Sequence, residues 1–182
     1  SEKGVDKDKI IYFPQWSEEL FESRDFSSKD NKKLIPDGFV VMFAGNIGEA
    51  QDFPSVINAA IRLKQYRDIH WVILGSGRKE TWLKEAIIRN NLEENFHLLG
   101  QFPIEKVPEF YSYADVLFIS LKREDIFALT VPAKLQTYLA SGKPILTMLD
   151  GEASSIVKES KSGLNAESGD SKLFADNILK MK

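Results

Sequence analysis

At 182 residues the chain has room for one full-sized α/β domain and a short appendage, but not for two such domains. Hydrophobic residues make up 43% and charged residues 28%, a balance that supports a core and excludes disorder except at the ends. Lys and Arg total 24 against 27 Asp and Glu, so a formal charge of -3 offers no general attraction for nucleic acid, and the lack of cysteine excludes disulfides and thiolate metal sites. The sequence shows no signal peptide and no apolar stretch long enough to span a bilayer.

The opening segment differs from the rest. The charged stretches "SEKGVDKDK" and "SSKDNKK" surround "IIYFPQWSEELF", the composition of an exposed linker around a docked apolar strip. Residues 1–37 therefore read as a connector from something upstream, and the chain as the C-terminal piece of a longer protein; the plainer alternative is a disordered extension. From residue 38 onward short apolar runs alternate with amphipathic segments. "FVVMFA" precedes a helix over "PSVINAAIRLKQY", with Val56, Ile57, Ala60, Ile61 and Leu63 close to one face and Pro54 in the first turn. "HWVILG" precedes "RKETWLKEAIIRN", "FHLLG" precedes "IEKVPEFYSY", "DVLFIS" precedes "PAKLQTYLASG", and "PILTML" precedes "EASSIVKES". Five successive βα units predict a Rossmann-like, doubly wound parallel sheet with helices on both faces. "SKLFADNILKMK" reads as a closing helix with Leu173, Phe174, Ile178 and Leu179 inward, and His70 and His97, at or inside apolar runs, read as structural.

In open parallel sheets ligands bind outside the carboxyl ends of the strands, so the turns there are the candidate sites. The first is "GNIG", Gly45 to Gly48. Strand, glycine turn and helix N-terminus together make an anion site, provided that backbone amides are free. The second, "GSGR" at Gly75 to Arg78, starts like a dinucleotide fingerprint, but Glu80 replaces the third glycine. Neither turn has the spacing of a phosphate loop ending in Lys and Ser or Thr. The third, "GQFP", brings Gln101 and Phe102 to where a flat ring could lie, or is a plain connection. The fourth is a long, partly charged loop before a helix opened by Pro132 and Ala133. Lys134 in that first turn is electrostatically unfavourable unless an anion is near. Glu124 and Asp125 in the same loop are the adjacent acidic pair at a strand end, open to a solvated or a functional reading.

In order, "MFAGNIGEAQDF", "VILGSG", "FHLLGQFPIEKVPEFYSYADVLFISL" and "PAKLQTYLASGKPIL" resemble the C-terminal half of a family 4 glycosyltransferase of GT-B architecture. The resemblance extends to "KIIYFPQWSEELF" and is greatest to the bacterial surface-polysaccharide group that includes L-fucosamine transferases. It implies that residues 38–182 form the nucleotide-sugar donor domain and that an N-terminal acceptor domain lies outside this chain. It implies diphosphate contacts at Gly45, Asn46, Ile47 and Gly48 and at the helix opening Ala133, Lys134 and Leu135, with the base near Gln101 and Phe102. The family's arginine after the first glycine and lysine five residues on are replaced by Asn46 and Gln51, which leaves Arg78 and Lys134 to compensate. Its paired glutamates fall at Leu129 and Thr137, so Thr137 takes the ribose position, and Glu124 or Asp125 could serve as catalytic carboxylates only after a rearrangement of their loop.

The resemblance further implies transfer of a sugar from a nucleotide-diphosphate donor, UDP-linked and of the N-acetylated deoxyhexosamine kind, to a glycan or lipid-linked acceptor. Transfer would proceed with retention, without cofactor or metal, in the cytoplasm at the inner face of the membrane. Alone the domain should bind nucleotide without turnover. Three alternatives stay open: a GT-B nucleotide-sugar epimerase, a degenerate interaction module that binds no nucleotide, and a dehydrogenase resting on "GSGRKE".

Overall fold

Six short strands lie side by side in one parallel sheet: β1 (Phe39–Ala44), β2 (Ile69–Leu74), β3 (Phe96–Gly100), β4 (Val116–Ser120), β5 (Ile145–Met148) and β6 (Gly163–Ala166). Seven helices connect or follow them: α1 (Phe53–Leu63), α2 (Glu80–Arg89), α3 (Val107–Tyr113), α4 (Asp125–Ala128), α5 (Ala133–Ala140), α6 (Glu152–Glu159) and α7 (Ser171–Met181). This computed structural model describes residues 4–11, 13, 15–22 and 31–182. The strand order is β3-β2-β1-β4-β5-β6, so the winding direction reverses between β1 and β4, and the expected Rossmann-like, doubly wound architecture is present.

Strands β1, β2, β4 and β5 are buried on both faces, which is why they read as unbroken apolar runs. Successive side chains go to opposite layers. Val41, Phe43, Trp71, Ile73 and Phe118 pack with α1, α2 and α7; Met42, Val72, Leu117 and Ile119 pack with α3, α5 and α6. Trp71 anchors the first layer, stacked on Phe96 at 5.8 Å and Phe174 at 6.2 Å and edge-on to Phe118 at 5.8 Å.

Three sequence expectations need correction. A sixth strand follows the five that the pattern predicts. "GLNA" is poor strand sequence, but β6 lies at the sheet edge and is held by its neighbours. A Cβ at Gly163 would collide with the Ile145 carbonyl, Thr147 Oγ1 donates to Asn165 Oδ1 at 2.7 Å, and Asn177 Nδ2 donates to the Asn165 carbonyl at 3.2 Å. Ile61 and Leu179, expected inward, are 40% and 36% exposed, because each stands at the margin of its helix's apolar stripe. Of the described residues of the apolar strip, the end docks: Phe21 is buried and stacks on Tyr111 at 5.9 Å, whereas Ile10, Ile11, Phe13 and Trp16 are exposed. Tyr12 and Pro14, and most of "SSKDNKK", lie outside the described residues. Ile35 is buried in the same layer as Phe21, and Asn31 donates from both its amide and its Nδ2 to the buried Glu109 carboxylate, at 3.2 and 2.8 Å. Among the described residues no helix is long and apolar enough to cross a membrane.

Candidate functional site

The carboxyl ends of β1, β2 and β3 open into one cleft of about 550 Å³, lined by Ala44, Gly45, Asn46, Leu74, Gly75, Ser76, Gly77, Gln101, Phe102, Ile104 and Val107. Three separate turns of the sequence thus converge beside the point where the strand order reverses. Backbone bonds hold them together: Gly45 N donates to Leu74 O at 2.9 Å, Gly75 N to Gly100 O at 2.7 Å and Ile47 N to Ser76 O at 2.8 Å. Gly75 has φ +129°, and a side chain there would overlap the Gly45 carbonyl, so the first two turns can close only on a glycine.

This bracing revises which amides are open. Of "GNIG", Gly45 and Ile47 spend theirs on the neighbouring turn, and Gly48 N donates to Gln51 Oε1 at 3.1 Å. Ile47 itself is buried in the core. Helix α1 does not follow the turn directly, because a single 3-10 turn over Glu49–Gln51 and the left-handed Asp52 intervene. Within these two turns, the amides without an acceptor among the described residues are those of Asn46, Ser76, Gly77 and Arg78. Asn46, Ser76 and Gly77 also line the cleft, so two turns rather than one have amides available to an anion there. Ser76, Gly77, Ile104 and Val107 are cleft residues that the sequence reading did not select; the signal for the first two was the "GSGR" turn itself.

Around the rim, most cations are already paired. Glu49 of the first turn binds Lys79 at 2.5 Å and also Lys122, and these two hydrogen-bonded ammonium groups, Lys122 foremost, hold its carboxyl down at about 2. Arg123 reaches Asp150 at 3.6 Å and Glu167 at 3.0 Å, tying the loop after β4 to those after β5 and β6. Arg78 is exposed just beyond the cleft and, among the described residues, has no carboxylate partner.

Lys134 behaves unlike any of these. It lies in the first turn of α5 with Nζ sealed from solvent and without a hydrogen-bond partner, 3.7 Å from the centroid of the Phe43 ring. Burial alone pushes its ammonium down to about 7. One turn on, the Tyr138 hydroxyl accepts from Ala44 N at 3.0 Å, which clamps α5 to the end of β1. Ala133 is exposed at the helix opening, whereas Leu135 is fully buried and its amide donates to Pro132 O at 2.9 Å, so the open amides here are those of Ala133 and Lys134.

The remaining expected residues stand apart. Gln101 and Phe102 line the cleft, with Phe102 packed on Phe110 at 4.4 Å. Thr137 is half-buried on α5 and donates to Lys134 O at 2.9 Å; it does not line the cleft. Glu124 and Asp125 are exposed at the start of α4, a short helix within what read as loop, and neither lines the cleft. No carboxylate among the described residues lines it. Among the described residues no three His, Asp or Glu side chains gather as a metal site. His70 and His97 touch each other, Nδ1 to Nε2 at 3.1 Å, near the amino ends of β2 and β3; burial and the neighbouring ring lower His97.

A cleft of this construction can be set beside known proteins. The family described as glycosyl transferases group 1 matches residues 38–181. The chain belongs to that family. WcaI of Escherichia coli (strain K12), named as a glycosyl transferase of colanic acid biosynthesis, is 30% identical over 146 residues, 78% of this chain and 35% of that protein. The chain thus spans about a third of the length of the curated relatives it matches. Among solved structures, a glycosyltransferase from Rickettsia africae superposes with a TM-score of 0.80 at 15% identity, over 97% of this chain and 48% of its own. Anabaena Alr3699/HepE in complex with UDP and glucose superposes at 0.77 and 19% identity, over 98% and 49%. At these identities the agreement establishes the shared GT-B half. In this group 1 glycosyl transferase chain the convergent turns therefore sit on the family's own scaffold.

Proposed function

We propose that this chain binds the donor of a glycosyltransferase: a sugar linked to a nucleoside diphosphate, UDP in the first instance, for transfer to a glycan or lipid-linked acceptor in surface-polysaccharide synthesis. One observation carries the reading. Residues with unspent amides in two glycine turns line a cleft beside the strand-order reversal, with Arg78, which has no carboxylate partner among the described residues, following the second turn and the unpartnered Lys134 Nζ next to Gly45 of the first. The family and the UDP-bound relative of the same fold support it.

In this reading the diphosphate lies on the amides of Asn46, Ser76 and Gly77, and Arg78 and Lys134 offset its charge. The base takes the apolar end of the cleft, between Phe102, Ile104 and Val107. Chemistry here consists of holding the donor and stabilising the departing diphosphate by fixed dipoles and cations, without a general base from this chain. The retained configuration and the acceptor contacts would come from a facing domain, and residues 1–37 would serve as the connector to it. Carboxylates missing from the cleft also suit a degenerate module that has lost its donor.

Calorimetric titration with UDP, GDP and NAD in parallel separates these readings. Binding of UDP in the micromolar to low-millimolar range, weakened in Lys134→Ala, is the expected result. Binding of NAD alone overturns it, and no binding of any of the three favours the degenerate module.

A further inference from the structure

We propose that a nucleoside diphosphate enters this cleft together with one proton, which the Lys134 amine takes up from solvent to become the diphosphate's counter-charge. The inference rests on the donor-site reading above and deepens it.

The geometry explains why the amine gives up its proton far more readily than an ordinary lysine when the cleft holds no anion. Nζ lies between the Phe43 ring and Gly45, so close that a Cβ on Gly45 would be 2.9 Å from it. No protein atom accepts a hydrogen bond from it. The ring face offers a charged amine some attraction, but a sealed ammonium without a carboxylate is costly. The titratable groups on the surrounding elements do not supply one. Glu49, after β1, is committed to Lys79 and Lys122; Glu124 and Asp125, after β4, are exposed; Asp52 is at the start of α1. On α5 itself Tyr138 is a neutral phenol bonded to Ala44 N. Burial is accordingly the one cause of the lowered value of about 7.

Gly45 is also a wall of the cleft and carries no side chain between Nζ and its contents. A diphosphate seated at this turn puts negative charge next to Nζ in a poorly solvated place, which favours the ammonium. Lysine suits this task better than arginine, since only lysine can give up its charge when the anion leaves. With a free value of about 7, the amine is ~90% neutral at pH 8. On UDP binding the amine should take up about one proton there and only ~0.1 at pH 6, and affinity should drop by up to about tenfold per pH unit above 7.

The test is calorimetry of the chain with UDP at pH 8, in two buffers of different ionisation enthalpy. At that pH the terminal phosphate of UDP is already ionised and contributes no proton. The expected result is uptake of close to one proton by the wild type, none with uridine, and none in Lys134→Arg, whose side chain stays charged. A wild-type ¹³Cε titration of Lys134, which needs no variant to fold, should show its midpoint near 7 move upward when UDP is added. UDP binding without proton uptake, or uptake that persists in Lys134→Arg, overturns this inference and leaves the donor site standing. Failure of UDP to bind at any pH overturns both.

Discussion

The strand ends of the two halves of the sheet are built on different principles. Over β1, β2 and β3 the turns are short and rich in glycine, braced by backbone bonds, and leave amides open around a cleft. Over β4, β5 and β6 the rim is charged, and two of its cations are spent on carboxylates: Lys122 on Glu49, Arg123 on Asp150 and Glu167. The second half thus staples the rim, while the first presents dipoles. The difference teaches that cations near a cleft are not interchangeable. Lys79, Lys122 and Arg123 are committed to carboxylates, whereas among the described residues Arg78 and Lys134 have none.

The largest expected effect comes from breaking the first half's geometry. Gly75→Ala places a methyl group against the Gly45 carbonyl and forces alanine to φ +129°. Strain and overpacking together should cost on the order of 3 kcal/mol in denaturant unfolding, and UDP binding should be lost. A variant of ordinary stability would mean that the two turns can separate.

Next comes the buried lysine. Its folded value of about 7 is below the ordinary 10.5, so between those limits the unfolded chain binds more protons. Stability without ligand should therefore rise as pH goes from 7 towards 10.5, the reverse of what a salt-bridged lysine gives. Lys134→Met should remove that slope, raise stability at pH 7 and weaken UDP by about tenfold to a hundredfold, the range of a lost charge-assisted contact. Urea midpoints between pH 6 and 9.5 check the first two statements and calorimetry the third.

How much of this was legible in the sequence follows the same division. Strands β1, β2, β4 and β5 announced themselves because a strand buried on both faces must be apolar throughout, and the half-buried β3 through its apolar Phe96, Leu98 and Leu99. Strand β6 did not, since what makes it a strand is the close approach of Gly163 to Ile145 and the partners of Asn165. The glycine turns were legible as places where amides could be free. Which amides stay free was not, because that depends on how one turn bonds the next: Ile47 and Leu135 matched the expected motif, yet the first donates to Ser76 and the second to Pro132. Lys134 was legible as a lysine in the wrong electrostatic place; that its Nζ is sealed over Phe43 is a property of packing.

A smaller effect should come from loosening the second half's staples. The two lysines hold the Glu49 carboxylate ionised down to about pH 2, so whatever it contributes is present above its ordinary value of 4.5 and lost only as pH falls through about 2. Between pH 5 and 9 the pairs stay intact. Glu49→Gln frees Lys79 and Lys122 beside the cleft and should tighten UDP by about twofold to threefold at low salt, an advantage that fades at high salt. Weaker binding at low salt would show instead that the clamp shapes the turn and that its charge is secondary.

The smallest effect is expected at the acidic pair of the loop after β4. Glu124 and Asp125 are exposed, stand at the start of a four-residue helix and do not line the cleft. Glu124→Gln and Asp125→Asn should each leave UDP affinity within about twofold and the unfolding midpoint unchanged, as surface substitutions away from any special contact do. Ile126 and Leu129 give the same segment an exposed apolar edge, so a movement of this loop towards a bound sugar would carry the carboxylates with it. That movement would leave UDP affinity alone and show itself as tighter binding of a whole sugar nucleotide, lost in both variants. Comparing UDP with a UDP-sugar in the two variants therefore separates a solvated acidic pair from one that reaches the donor only when the sugar is present.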